Sequence, residues 1–143
     1  MMKKIITWLL SLWIAFVFIQ SLLFKFTDSP ETQHIFGTIG AWMSTNFLAP
    51  LSEFFTAYGG YTIGSFELIA SVLLIIPGTT RSLGALLAIG LMTGAIFFHL
   101  FTPLGVNVQG DGGVLFYMAC SVWLSGWIVF YLQQSTSKRR SYF

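Results

Sequence analysis

GGYTIGSFELIASVLLIIPGTTRSLGALLAIGLMTGAIFFHLF, residues 59–101, decides the fold. An apolar run from about Gly59 to Ile76 stops at Pro77, and a second run extends from Leu83 to Phe101. Each is near the ~20 residues that cross ~30 Å of hydrocarbon as a helix. Between them, Pro77-Gly78-Thr79-Thr80-Arg81-Ser82 joins a helix stop to a new helix start. Two spans joined by so short a turn must be antiparallel neighbours. Glu67 interrupts the first run and His99 sits near the end of the second.

Two more runs of the same kind flank this pair, Ile5 to Phe24 before it and Gly113 to Leu132 after it. The first begins after Lys3-Lys4, as a signal peptide would, but continues to spanning length and is followed by Phe24-Lys25-Phe26 rather than a small-x-small cleavage site. It reads as a retained span. The composition agrees: of 143 residues, 55% are hydrophobic and 8% charged, and the mean hydropathy is +0.78. Soluble domains carry roughly 25% charged residues. A water-facing surface is therefore excluded for most of the chain, and so is disorder. The sequence predicts an all-α membrane protein, a four-transmembrane-helix bundle forming a single domain, in contact with the lipid bilayer.

Charge placement gives the orientation. Lys3, Lys4, Arg81, Lys138, Arg139 and Arg140 fall on one side; Asp28, Glu31, Glu53 and Asp111 fall on the other, with Lys25 as the exception. Basic residues favour the cytoplasmic side, which predicts cytoplasmic N- and C-termini in a bacterial-type plasma (inner) membrane. Arg81 is read as an orientation residue. Residues 133–143 are read as a polar, basic, mobile tail against anionic headgroups. No basic face suggests nucleic acid.

The outer segment, residues 27–58, carries its own helix signals. Ser29-Pro30-Glu31 supplies an N-cap, a proline at the first helical position and an acid in the first turn. Ile35, Phe36, Ile39, Trp42 and Met43 then recur at helical spacing, as do Leu48, Leu51, Phe54, Phe55 and Tyr58. One or two short amphipathic interfacial helices are expected between spans 1 and 2, either capping the bundle or resting on lipid.

Small and polar residues mark the inward faces: Thr7, Ser11, Ser21 and Lys25; Gly60, Gly64, Glu67 and Ser71; Gly84, Ala88, Ala95 and His99. Gly90 and Gly94 add a GxxxG pair on a neighbouring stripe. For Gly84, Ala88, Gly90 and Gly94 the expected role is close helix packing.

Glu67 is the most informative residue, because an acid near mid-span costs at least ~2.5 kcal/mol to insert. It is either a buried anchor of helix register or part of a ligand or proton site. Lys25 either snorkels to the surface or turns inward to neutralise Glu67 or Asp111. Asp111, within Asn107-Val108-Gln109-Gly110-Asp111-Gly112-Gly113, either caps the fourth helix or belongs to a site. Lys25, Glu67, His99, Gln109 and Asp111 are the ligand-binding or proton-handling candidates, expected toward the outer half of the bundle. A direct Glu67–His99 hydrogen bond is not assured, because Glu67 lies ~5–10 Å deeper. His34 and His99 lack a cysteine or carboxylate cluster at metal-ligand spacing, so no metal site is expected. The single cysteine, Cys120, allows no internal disulfide. No catalytic motif is present.

Phe24-Lys25-Phe26-Thr27 with Ser29-Pro30-Glu31, Glu67-Leu68-Ile69-Ala70 through Leu74-Ile75-Ile76-Pro77 to Arg81, Gly94-Ala95-Ile96-Phe97-Phe98-His99-Leu100, and Val108-Gln109-Gly110-Asp111-Gly112-Gly113 together resemble the DoxX family of small four-span membrane proteins. That resemblance implies a redox-associated membrane system: some members are tied to thiosulfate oxidation with quinone reduction, others to oxidative and thiol stress, and distant relatives to membrane-protein assembly. A sulfur relay would have to proceed with Cys120 alone. Three readings follow. One is a binding subunit for a quinone-like or other amphipathic molecule, such as a bound lipid, accessory to an oxidoreductase if enzymatic at all. The second is a non-catalytic assembly protein with a membrane-protein partner or a second copy of itself. The third is a proton or small-solute transporter.

Overall fold

A computed structural model of the protein describes residues 1–141. Tyr142, Phe143 and the side chain of Arg140, all in the expected basic tail, lie outside the described part. Five helices follow one another: α1 (Met2–Lys25), α2 (Pro30–Met43), α3 (Ala49–Ile75), α4 (Thr79–Phe101) and α5 (Val114–Ser141). All but α2 are long and apolar enough to cross a bilayer, so the chain is a multi-pass membrane protein with an all-helical fold.

The local signals act as read. Ser29 caps α2, its Oγ accepting from the Thr32 N–H at 3.2 Å, with Pro30 at the first helical position. Gly78 turns the chain between α3 and α4 at φ 93°, in the left-handed region that glycine enters without strain. Gly84 then lets the two helices close up. A Cβ there would sit 2.8 Å from the Leu74 backbone nitrogen.

Two boundaries differ from expectation. Leu51 to Tyr58 do not form a separate interfacial helix; they are the first turns of α3, continuous with the span. Gly59 and Gly60 look like a break but mark a close approach, since a Cβ on either would collide with Phe36 or Thr32 of α2. At the other end, α5 runs through Gln133 to Ser141 rather than ending in a mobile tail. The stretch contains no glycine or proline, and its glutamines, lysine and arginines are good helix formers.

The spanning helices close a ring in which α1 packs on α3 and α5, and α4 packs on α3 and α5. Ile14, Phe18, Leu74, Val122 and Val129 are fully buried at its centre. Helix α2 folds back along the outer turns of α3. Its Ile39 and Met43 cluster with Leu104 and Val108 of the α4–α5 connection, which seals it across the outer end. Of the two readings of the outer segment, it caps the bundle. The outside is apolar, with Leu9, Phe16, Leu23 and Leu124 all more than half exposed. In water that surface would drive aggregation; against acyl chains it is simply solvated.

Candidate functional site

Helix α1 ends on a polar turn, with Ser21 and Lys25 four residues apart on the face it turns toward α3. Lys25 does not snorkel outward. Its Nζ lies 3.0 Å from Glu67 Oε1 and 2.9 Å from Oε2, and it donates to Ser21 Oγ at 3.0 Å. Ser21 Oγ is in turn 2.9 Å from Glu67 Oε2 and 2.8 Å from the Phe18 carbonyl, so its single proton serves one of the two at a time. The lysine side chain is 18% exposed and the glutamate 4%. Glu67 sits about 12 Å from the inner end of α3 at 1.5 Å per residue. Paired in this way, the two side chains bring no net charge into the span, which removes most of the cost of either charge alone.

These three residues face a cavity of about 690 Å³ in the outer half of the bundle. Its walls come from all five helices: Phe18 of α1, Phe36 and Ile39 of α2, Phe66 of α3, Leu91 and Phe98 of α4, and Met118 of α5 are among them. Ser21, Lys25 and Glu67 form one contiguous polar patch of its wall, and Gln20, Glu31 and Thr32 are the other polar residues that line it. The rest is aliphatic and aromatic. Gly90 and Gly94 line the cavity and do not pack; a Cβ on either would meet nothing within 4 Å. The GxxxG pair is therefore part of a cavity wall, while Gly84 and the fully buried Ala88 do pack as expected. Five lining residues, Phe24, Phe66, Leu86, Gly90 and Val114, are exposed to the surroundings, so the cavity is not sealed from the outside of the bundle.

The remaining candidates do not reach this cavity. His99 Nδ1 lies 2.7 Å from the Gly105 carbonyl. A carbonyl only accepts, so Nδ1 carries the proton in this contact. The His99 ring packs edge-on to Phe116. Asp111 organises the α4–α5 connection. Its Oδ1 accepts from Val108 at 3.0 Å and Gly113 at 2.8 Å, and its Oδ2 from Leu115 at 3.1 Å in the first turn of α5. Desolvation pushes the Asp111 carboxyl up, but these three N–H donors, with His99 nearby, outweigh it and hold the group below its ordinary value. Gln109 is exposed on the same loop at φ 50°. No direct Glu67–His99 bond is present among the described residues.

The five candidates thus divide. Lys25 and Glu67 meet at a cavity, while His99 and Asp111 brace the α4–α5 loop on which Gln109 lies exposed. The sequence marks Ser21 only as a small inward residue. Its spacing of four from Lys25 was the available signal, since i and i+4 share a helix face. No family model, curated protein or solved structure matches the chain.

Proposed function

We propose that the protein is a membrane binding subunit for a small amphipathic molecule, a quinone-like ring or a lipid, in a redox-associated setting of the kind the DoxX resemblance implies. The observation that carries this is the 690 Å³ cavity with apolar walls and one polar patch built on the Lys25–Glu67 pair. Such a volume falls within the ~300–1,000 Å³ of small-molecule sites. The polar patch has a definite character. Lys25 spends its donors on Glu67 and Ser21, whereas Glu67 Oε1 accepts only from Lys25 and keeps a free lone pair. A hydroxyl-bearing head, such as a quinol or a glycerol hydroxyl, matches that acceptor. The apolar walls hold the ring or tail.

Solvent extraction and mass spectrometry of protein purified in mild detergent test the proposal. The wild-type chain is expected to carry one class of amphipathic molecule at near-stoichiometric level. Lys25→Met and Glu67→Gln should each reduce it about tenfold, the value of one charge-assisted hydrogen bond. A wild-type preparation with an empty cavity, or unchanged occupancy in both variants, would overturn it.

A further inference from the structure

The opposite, basic end of the bundle encloses a second cavity. Arg81, in the first turn of α4, is 4% exposed. Its Nε donates to the Leu74 carbonyl at 2.8 Å, at the C-terminal end of α3. Its guanidinium carbon lies 4.0 Å from the centre of the Trp8 ring on α1. Arg81 Nη2 is buried and has no hydrogen-bond partner. The ion pair among the described residues is Lys25–Glu67, so Arg81 has no carboxylate partner there. A buried guanidinium with unused donors and no counter-ion is costly unless something anionic completes it.

The surroundings fit such an anion. Arg81 lines a cavity of about 580 Å³, together with Lys4, Thr79, Ser82, Gln133 and Ser137. Two of its residues are cationic, none of its described residues is acidic, and several offer hydroxyl or amide donors. The first turn of α4 also faces it; its N-cap is Gly78, and no side chain caps it. The leading N–H groups of a helix have no intrahelical acceptors and favour negative charge. Phosphate suits the planar donor fork of arginine. We propose that this inner cavity binds a phosphate group, carried by an anionic phospholipid or present as free phosphate, with Arg81 as its buried anchor and Lys4 at its mouth. The assignment is independent of what fills the outer cavity.

The full chain is reconstituted in vesicles of phosphatidylcholine with a minor share of phosphatidylglycerol. It is then released into mild detergent, and the retained phospholipid is counted by native mass spectrometry. Delipidated protein is titrated in parallel with inorganic phosphate. Retained phosphatidylglycerol should exceed its share in the vesicles, and Arg81→Gln should cut that enrichment about tenfold. Lys4→Gln removes an exposed side chain, so it tests the site even if Arg81→Gln misfolds; it should weaken retention several-fold. Saturable phosphate binding without lipid enrichment, weakened several-fold by Lys4→Gln, supports the site with a soluble source. Neither enrichment nor saturable phosphate binding, or binding unaffected by Lys4→Gln, overturns the proposal.

Discussion

Lys25 and Glu67 hold each other in place through a balance that single substitutions upset. Each charge lies in a poorly solvated setting, and their direct contact replaces the water both have lost. Lys25→Met leaves Glu67 with Ser21 as its remaining side-chain partner and should cost about 3 kcal/mol. The double variant Lys25→Met/Glu67→Gln removes both charges and should recover most of that loss. Unfolding of the purified protein in mixed detergent micelles would measure both; equal losses in the single and double variants would show that the charges are not coupled. The sequence singled out both residues, from the cost of an acid at mid-span and from a lysine at the end of the first run. It left two partners open for Lys25, Glu67 and Asp111, beside the surface, because a partial rotation of α1 about its axis would exchange them. Asp111 shows the same limit. Its proximity to the fourth span suggested a cap, but the simultaneous grip on Val108, Gly113 and Leu115 depends on glycines at positive φ.

Within a single element, α4, glycines with identical local chemistry perform opposite tasks. Gly84 touches the backbone of α3, while Gly90 and Gly94 face empty space. Gly84→Leu should therefore separate the α3–α4 hairpin and destabilise the bundle by about 2 kcal/mol or more, the range of overpacking. Gly94→Leu should leave stability unchanged or raise it by up to ~1 kcal/mol through helix propensity. It should also displace the outer-cavity occupant. A thermal melt together with extraction of the bound molecule separates these outcomes. Spacing in sequence placed all three glycines on α4 but could not say which faced a neighbour. The same gap explains α3: Gly59-Gly60 signals either an interruption or a contact, and only the position of Phe36 on α2 decides between them.

Across the whole molecule, the two ends of the bundle differ in charge and in the kind of space they enclose. The inner cavity brings Lys4, Arg81 and the Gln133–Ser137 turn of α5 to one end, as the charge distribution required. Arg81 itself carries more than orientation, because it is buried beneath Trp8 rather than exposed at the surface. Basic residues favour the cytoplasmic side, which predicts that this end faces the cytoplasm. In a Cys120→Ser background, an impermeant thiol reagent added outside intact cells should label Thr45→Cys, in the exposed α2–α3 turn. It should label Ser137→Cys only after lysis. The reverse pattern would invert the topology. Four spans and their antiparallel order were legible because lipid demands long, uninterrupted apolar runs. The cavity was not legible, because empty volume arises from how five helices fail to fill the space between them.

Phe66, Leu86 and Gly90 line the outer cavity and are also exposed on the apolar outside of spanning helices, where a bilayer presents acyl chains rather than water. For the proposed occupant, the relevant supply is its mole fraction in one leaflet, and arrival is diffusion in two dimensions. Diluting the membrane with inert lipid would then empty the site as effectively as diluting an aqueous ligand empties a soluble protein. Membrane composition itself becomes the variable that sets occupancy.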